Sequence, residues 1–317
     1  MKVVRYNNVD DTSAPCVVTV GFFDGVHRGH RYLIKQVTDE ARRLGTESVV
    51  VTFDRHPRQV LGCDYRPRML NTLEEKTALL ASTGIDRCVI LPFDEAMSRL
   101  TASEFMSTVL RDKIGARALV TGYDNRFGRN RSDGFDDYVR YGDEIGMAVI
   151  KAKPLVLNGV SVSSSVIRSF IEAGEVEMAA LCLESHYTLA GRVVAGEHVG
   201  SGMGYPTANI EPDNADKLIP ATGVYAVWVD IEGVTGRCHA MMNIGFRPTF
   251  GGTRKTLEVH ILNFSGDIYG RRITVSFVGH LRTERKFRGA SELANQLHED
   301  ARMAIEILEE DIKKTKE

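Results

Sequence analysis

The segment at residues 21–30, Gly-Phe-Phe-Asp-Gly-Val-His-Arg-Gly-His, constrains this chain more than any other part of it. It follows a β-branched run at 17–20, which predicts a buried strand. It precedes a segment whose apolar residues recur at helical spacing as far as Leu44, with Gly45 in the position of a helix C-cap. The sequence therefore predicts a glycine-rich turn that joins a strand to a helix.

His27 and His30 lie at the start of that predicted helix. Residues three apart share one face of a helix, so we expect the two imidazoles to project together beside the N-terminal backbone N–H groups. Such a helix start binds anions, and a nucleotide phosphate is the ligand expected here. A turn with two surface histidines is the alternative, and the preceding strand and glycine turn favour the phosphate site.

The composition indicates a globular protein of two domains. The chain has 317 residues, of which 43% are hydrophobic and 26% charged, and its net charge is −2, so no global field recruits nucleic acid or an anionic membrane. Its five cysteines are far apart and form no CxxC pair, which argues against a zinc site or a disulfide framework. With no signal-peptide core and no membrane-spanning apolar run, we expect a cytoplasmic protein.

Strands and helices alternate in the first part of the chain. Further strands are predicted at 48–53, 87–91, 118–121 and 147–152, with helices at 73–83, 101–115 and 135–145. This alternation predicts a Rossmann-like parallel sheet with helices on both faces. Ligands bind such sheets beyond the carboxyl ends of the strands, where Gly21, His56 and Gly122 are expected.

The periodicity changes near residue 185. Strands are then predicted at 187–195, 224–231, 236–244, 256–264 and 273–281, without helices between them, and a long amphipathic helix follows at 292–310. This pattern predicts an antiparallel β-barrel, with a sandwich as the alternative, followed by a C-terminal helix. We therefore place one domain at 1–185 and a second at 186–317.

Two polar segments of the first domain are candidate phosphate-binding elements. Residues 122–131 follow a strand and carry three arginines beside Asn125, and their position at the binding edge favours ligand contact over an exposed basic loop. Three serines at 163–165 precede Arg168 at a helix start. Helix capping explains one serine, whereas the hydroxyls and the guanidinium together suit a triphosphate.

A glycine-rich segment in the second domain, residues 200–204, precedes Pro206, Thr207 and Asn209. Pro206 argues against the helix that a dinucleotide-binding fingerprint needs, but a glycine-rich turn can still wrap phosphates. Thr207 and Asn209 alternate, so on an extended segment their oxygens share one face and suit Mg²⁺. A turn followed by polar surface is the alternative.

Glu258 alternates with Leu257 and Val259, which places it on the face that His260 shares. A carboxylate in such surroundings is either paired structurally or catalytic. The spacing alone does not choose between these two interpretations.

The first domain resembles the HxGH nucleotidyltransferases, and among them the adenylyltransferase module of the bacterial bifunctional riboflavin kinase/FMN adenylyltransferases (FAD synthetases). The matching stretches are 21–30, 52–57, 91–94, 122–131 and 163–168, and 131–134 departs from the usual loop length. The resemblance implies that FMN attacks the α-phosphorus of ATP while His27 and His30 stabilise phosphate charge. The ATP-binding residues predicted for this domain are Gly21, Phe23, Asp24, Gly25, His27, His30, Asp124, Asn125, Ser163, Ser164, Ser165 and Arg168.

The second domain resembles the riboflavin kinase module of the same family. The matching stretches are 191–194, 204–209, 223–225, 243–245, 247–249, 269–270, 281–282 and 286–287, together with Glu258 and Glu284. The resemblance implies that Thr207 and Asn209 bind Mg²⁺ with ATP and that Glu258 is the base for the ribityl 5′-hydroxyl. The predicted kinase ATP-binding residues are Gly200, Gly202, Gly204, Pro206, Thr207 and Asn209, and the predicted flavin-binding residues of the chain are His56, Pro57, Arg282 and Glu284. The family often has Gly-Arg before its Leu-Gly-Phe-Pro-Thr-Ala-Asn, whereas this chain has Ser201-Gly202-Met203-Gly204 instead, so an arginine contact to phosphate is not carried over.

The sequence as a whole predicts an enzyme that makes FMN from riboflavin and FAD from FMN, with Mg²⁺ and ATP in both steps. Its expected partners are small molecules, not nucleic acid or membrane, and it is expected to be a monomer or a weak homo-oligomer. One alternative keeps a single activity, with the barrel as a non-catalytic flavin-binding regulatory module, and the set Thr207, Asn209 and Glu258 counts against it. A tRNA-charging enzyme is a second alternative, and the chain lacks an evident lysine-rich ATP signature and a basic surface.

Overall fold

The computed structural model describes residues 1–9, 14–56, 67–122, 125–157, 160–195, 207–249 and 252–316. The predicted site residues Pro57, Asp124, Gly200, Gly202, Gly204 and Pro206 lie outside these ranges. The chain divides into two compact units, Met1–Ser163 and Ser164–Glu317. The division between activities at 185/186 stays a prediction.

In the described part of the first unit, six strands form a parallel sheet. They are β1 (Lys2–Arg5), β2 (Cys16–Val20), β3 (Glu47–Phe53), β4 (Arg87–Leu91), β5 (Ala116–Thr121) and β6 (Ala148–Lys151). Their spatial order is β1-β4-β3-β2-β5-β6, and every neighbouring pair is parallel. The sheet therefore confirms the predicted class, and β1 adds an exposed edge strand that was not predicted.

Helices cover both faces of this sheet. They are α1 (Arg28–Leu44), α2 (Leu73–Ala81), α3 (Glu95–Arg99), α4 (Ala102–Glu104), which continues as a π-helix (Phe105–Ile114), and α5 (Phe135–Ile145). Val50 of β3 packs with Ile34 of α1 and Leu80 of α2, whereas its neighbour Val51 packs on the other face with Tyr138 of α5. A two-stranded hairpin, β7 (Val156–Leu157) with β8 (Val160–Ser161), follows the sheet.

Local signals in the sequence account for several helix ends of this unit. Gly45 adopts the left-handed conformation, φ 64°, as the C-cap of α1. Thr72 begins α2 with a capping box to Glu75, and Thr101 begins α4 with the predicted capping box to Glu104.

The second unit is a closed antiparallel barrel with helices at both ends of its sequence. Its elements are α6 (Ser164–Ala173), α7 (Val176–Leu183), β9 (Tyr187–Val194), β10 (Ala208–Pro212), β11 (Gly223–Ile231), β12 (Cys238–Thr249), β13 (Gly252–Ile261), β14 (Arg272–Arg282) and α8 (Ala290–Lys316). The barrel order is β10-β13-β12-β11-β14-β9. The predicted barrel is confirmed, and β10 is a strand that the sequence analysis did not list.

Alternation along the strands separates the barrel interior from an outer face under α8. Met242, Val259 and Phe277 are fully buried on the inner face. On the outer face, Trp228 and Met241 pack with Ala304 and other residues of α8. Within the described ranges, no helix combines the length and the apolar character that crossing a bilayer requires.

Candidate active sites

The two histidines of the 21–30 segment form a stacked pair at the start of α1. Their ring centroids are 3.6 Å apart, and their planes differ by 20°. His27 is the N-cap residue, and its Nδ1 accepts a hydrogen bond from the backbone N–H of His30 at 3.4 Å. Because Nδ1 accepts, a neutral His27 carries its ring proton on Nε2. The structure thus places both imidazoles together, as the spacing predicts.

The turn before them has an unusual backbone. Phe23, Gly25 and Val26 have positive φ angles of 54°, 84° and 40°. Non-glycine residues adopt this conformation only where their surroundings hold them in it. Phe23 and Val26 are buried in the core cluster beside α1, so packing holds the turn that presents His27.

Asp24 provides a second anchor for this turn. It is 3% exposed, and its carboxylate accepts hydrogen bonds from the backbone N–H groups of Leu70, at 3.0 and 3.1 Å, and of Asn71, at 3.1 Å. These contacts join the turn to the segment that leads into α2. Its predicted role in ATP binding stays a prediction.

Other predicted residues lie at the carboxyl ends of β2 and β3. The amide Nδ2 of Asn125 donates to the carbonyl oxygen of Val20 at 2.6 Å, and the N–H of Gly21 donates to the carbonyl of Val51 at 3.0 Å. The ring of His56 contacts the edge of the Phe22 ring, with 4.8 Å between centroids. Asn125, Gly21 and His56 therefore meet at the predicted binding edge of the sheet.

The serine-rich segment is divided between the two units. Ser163 ends the first unit, whereas Ser164, Ser165 and Arg168 belong to the first two turns of α6 in the second. Their predicted contacts with ATP stay predictions.

The electrostatic environment keeps His30 neutral. Burial, the neighbouring His27 and the charge of Lys76 together hold the pKa of His30 well below its ordinary value of 6.5. Its Nδ1 is buried and has no hydrogen-bond partner among the described residues. The site therefore presents a neutral imidazole whose protonation an incoming polyanion would favour.

Lys76 of α2 is a site residue that sequence reasoning missed. Its side chain is buried, and its Nζ contacts Phe22 and Thr52 at the binding edge of the sheet. The available signal was its spacing with Leu73 and Leu80, which places a lysine in the apolar stripe of α2. A lysine in such a stripe is unusual unless its ammonium has partners.

In the second unit, Glu258 lies between two asparagines on adjacent strands. The register pairs Glu258 of β13 with Asn209 of β10 on one side and with Asn243 of β12 on the other. Directly opposite residues of antiparallel strands share a face, with Cβ atoms roughly 4.5–5.5 Å apart. A carboxylate and two carboxamides thus form a row across three strands, which we call the Asn-Glu-Asn row.

The Asn-Glu-Asn row faces away from the barrel interior. The alternate residues Ala208, Val259 and Met242 are buried, whereas the three residues of the row are half-buried. Asn243 was not among the predicted site residues, because its pairing with Glu258 depends on strand register rather than on sequence spacing.

The predicted flavin residue Arg282 is held in an ion pair beside this face. Arg282 of β14 pairs with Val224 of β11, and Val224 pairs with Asn243 of β12. Arg282 therefore continues the row by two strands. Its guanidinium binds the fully buried carboxylate of Asp300 in α8, with an N–O distance of 2.7 Å. It also lies over the ring of Phe287, 5.6 Å from the centroid.

Glu284 reaches the same face from the segment after β14. Its Oε1 lies against the Cα of Gly245 on β12, in the space that a Cβ would fill. Gly245 pairs with Thr256, two residues before Glu258 on β13. Glu284 and Arg282 therefore flank the Asn-Glu-Asn row, although no ligand contact is shown for either.

The oxygen donors around this row suit Mg²⁺. The hydroxyl of Thr207, the carboxamide oxygen of Asn209 and the carboxylate of Glu258 are hard ligands of the kind that Mg²⁺ takes. Among the described residues, no group of three or more His, Cys, Asp or Glu side chains could hold a metal by itself. Nucleotide-bound Mg²⁺ needs only one or two protein ligands, since phosphates and water supply the rest.

Comparisons with known proteins agree with this arrangement. The family model of FAD synthetase matches residues 9–166, and that of riboflavin kinase matches residues 183–308. The bifunctional riboflavin kinase/FMN adenylyltransferase of Pseudomonas fluorescens is 36% identical over 306 residues, which cover 96% of this chain and 97% of that protein. The protein of the same name from Escherichia coli (strain K12) is 34% identical over 309 residues, with 96% and 97% covered.

A solved structure has the same two-unit fold. It is titled as a macrolide-efflux protein from Streptococcus pneumoniae, and it matches with a TM-score of 0.87 and 30% identity over 96% of this chain and 99% of that one. The two family models and the identity to curated relatives along nearly the whole chain establish its membership. The chain belongs to the family of bifunctional riboflavin kinase/FMN adenylyltransferases.

Proposed function

We propose that the two reactions of this family occur in separate units of the chain. FMN adenylylation takes place at the carboxyl edge of the first sheet, and riboflavin phosphorylation on the outer face of the barrel. The observation that carries the proposal is that each matched family region contains one chemically suited cluster: the stacked His27–His30 pair in the first and the Asn-Glu-Asn row in the second.

In the adenylyltransferase reaction, the FMN phosphate attacks the α-phosphorus of ATP and pyrophosphate leaves. Both reactants are anions, so positioning and charge stabilisation matter more than proton transfer. His27 and His30 would donate ring N–H groups to the phosphates at the positive end of α1. One preorganised donor of this kind contributes about 3 kcal/mol to transition-state stabilisation.

In the kinase reaction, Glu258 would accept the proton of the ribityl 5′-hydroxyl as that oxygen bonds to the γ-phosphorus of ATP and the bond from this phosphorus to the β–γ bridging oxygen breaks, which releases ADP. Thr207 and Asn209 would hold Mg²⁺ with the nucleotide, and Asn243 would orient the carboxylate from the opposite side. Mg²⁺, when bound, supplies charge neutralisation at the transferring phosphoryl group.

The alternative with one retained activity has no support, because both family models match and each unit contains its own polar cluster. We also propose a cytoplasmic enzyme that acts on small molecules as a monomer or weak homo-oligomer. Cys16, Cys88 and Cys238 form no disulfide, which is typical of a reducing compartment. Light scattering during size-exclusion chromatography tests the oligomeric state.

Two variants, each expected to lose one activity and keep the other, test the assignment. Glu258→Gln keeps the side-chain shape and removes the basicity, so riboflavin phosphorylation should fall by about 10²–10⁴-fold. Conversion of supplied FMN to FAD should be unchanged. The double variant His27→Ala/His30→Ala should show the reverse pattern, with FAD formation lost and phosphorylation kept.

The flavins formed with ATP and Mg²⁺ are separated by chromatography and quantified. Exposed Glu211 on neighbouring β10 and exposed His298 in α8 provide matched controls, as Glu211→Gln and His298→Ala. Phosphorylation at the parent rate in Glu258→Gln, or FAD formation at the parent rate in the histidine variant, would refute the corresponding half of the proposal.

A further inference from the structure

A buried ammonium group lies behind the histidine pair. Lys76 is 3% exposed, and its Nζ donates to the carbonyl oxygens of Phe22, at 3.1 Å, and Phe53, at 2.9 Å. A third hydrogen bond, of 3.1 Å, goes to Oγ1 of Thr52. An ammonium has three N–H donors, so these three oxygens saturate it.

The three acceptors belong to the two segments that form the binding edge. Phe22 lies in the turn that leads to His27, whereas Thr52 and Phe53 end β3 and lead to His56. The ammonium also lies over the Phe22 ring, 4.1 Å from its centroid. The hydrogen bonds of Lys76 therefore join the turn that precedes His27 to the C-terminal end of β3.

The charge of Lys76 is costly at this place. Burial lowers the pKa of Lys76 from its ordinary value of 10.5 to about 8, although the nearby Asp24, Cys88 and Asp54 act in the opposite direction. The three acceptors are neutral oxygens, so within the described ranges no carboxylate accepts a hydrogen bond from this ammonium. A neutral core side chain would fill the same space without this cost, which points to a use for the charge.

The charge lies near the histidine pair, where two anionic substrates must meet, so a positive charge is useful there. We propose that Lys76 is a positioning residue for adenylyl transfer, in which its ammonium fixes the Phe22 turn that presents His27 and His30 and adds a positive charge behind them. The inference rests on the proposed role of the histidine pair. It adds a residue from α2 whose role is indirect, because its three hydrogen bonds go to oxygens of the protein itself.

Deprotonation removes both effects together. A neutral amine has two N–H groups and a lone pair, so one of the three acceptor oxygens then faces a lone pair. The charged and titratable groups that surround Lys76 are His30 in α1, Asp24 in the turn, Asp54 after β3 and Cys88 in β4. Adenylyl transfer should therefore weaken as the pH rises through the pKa of Lys76.

The first test measures kcat/KM for ATP in FAD formation between pH 6.5 and 9.5, because this ratio reports the groups of the free enzyme. We expect the parent protein to lose about tenfold per pH unit above about pH 8. Lys76→Arg keeps the charge, so its alkaline decline should move up by more than about one pH unit. An absent decline in the parent protein, or an unshifted one in folded Lys76→Arg, would overturn the proposal.

The second test compares Lys76→Met with Lys35→Met, a control at an exposed lysine of α1. Misplaced catalytic groups lower the rate by up to about 100-fold, so Lys76→Met should lower kcat for FAD formation by about 10–100-fold with a much smaller change in the KM for ATP. Riboflavin phosphorylation should stay at the parent rate in both variants.

Two outcomes of this comparison would contradict the proposal. A parental kcat in folded Lys76→Met, or a loss confined to KM, overturns the positioning role; if this variant does not fold, the pH profile of the parent protein decides. Failure of the histidine assignment appears separately, as FAD formation that persists in His27→Ala/His30→Ala.

Discussion

At the scale of single residues, Gly29 shows how little space surrounds the ring of His27. A Cβ at this position would lie 3.2 Å from the ring of His27 and 3.4 Å from the carbonyl oxygen of Val162. Its φ is not positive, so the backbone itself accepts alanine, which favours a helix over glycine by up to about 1 kcal/mol. Activity and stability should thus respond in opposite directions to the same methyl group.

We expect Gly29→Ala to lower kcat for FAD formation by about tenfold or more, because the His27 ring must move by a few tenths of an ångström. The thermal midpoint should not fall. Gly134→Ala is the control, since nothing lies within 4 Å of a Cβ there. A variant with full FAD synthesis would show that the position of the His27 ring does not limit the reaction.

Among the site residues, those that a local motif specifies could be predicted, and those that depend on distant contacts could not. His27 and His30 are three apart on one helix, so their proximity follows from the sequence. Asn243 meets Glu258 only through the register of β12 with β13, which the sequence does not display. Lys76 was missed because its partners lie 23 to 54 residues away along the chain.

At the scale of elements, apolar periodicity predicted the central strands and most helices. It did not predict β1, because Lys2 and Arg5 leave only two apolar residues between them in an exposed edge strand. It did not predict β10 as a strand of the barrel, since the glycine-rich stretch before Thr207 conceals its start. The widening of α4 into a π-helix had no signal that we could identify.

A carboxylate in the C-terminal part of α8, that of Asp311, adds polar contacts to the apolar packing of this helix on the barrel. Asp311 accepts from the indole N–H of Trp228 at 2.9 Å and lies 3.0 Å from the ring Nε2 of His186. Asp311→Ala leaves a buried indole donor without its acceptor, which costs about 1–3 kcal/mol. We therefore expect a lower denaturant midpoint for the second unit and weaker kinase activity at elevated temperature.

Trp228 is the sole tryptophan of the chain, so its fluorescence follows this docking directly. The control is Glu310→Ala, which changes an exposed neighbour in the same helix. Equal midpoints for Asp311→Ala and Glu310→Ala would mean that the carboxylate does not hold α8.

At the scale of the whole molecule, the tryptophan distinguishes the two units in an unfolding experiment. Fluorescence reports the barrel unit, whereas circular dichroism reports both, so a dichroism change without a fluorescence change belongs to the first unit. The stability of that unit at alkaline pH depends on buried groups whose pKa values are shifted in opposite directions. Burial raises the thiol pKa of Cys16 and of Cys88 from 9.0 to about 11, whereas burial lowers the amine pKa of Lys76 to about 8.

The sign for each group follows from proton binding. Between pH 9 and 11 the folded protein retains thiol protons that the unfolded chain releases, so the cysteines reduce stability as the pH rises. Between about pH 8 and 10.5 the unfolded chain holds the Lys76 proton more tightly, so this group increases stability as the pH rises. The cysteines contribute about equally to the free energy of unfolding of the parent protein and of Lys76→Met. The difference between these two free energies therefore reports the contribution of Lys76.

We expect that difference in the free energy of unfolding to shift in favour of the parent protein by about 2–3 kcal/mol between pH 7 and 10, at about 1.4 kcal/mol per pKa unit. Urea titrations of both proteins at several pH values measure it. FAD formation should decline over the same range, so activity would fall while this contribution to stability rises. A difference that stays flat with pH would mean that Lys76 keeps an ordinary pKa in the folded chain. Activity that declines only as the parent protein unfolds would instead mean that the alkaline loss is a loss of structure rather than of the ammonium behind the histidines.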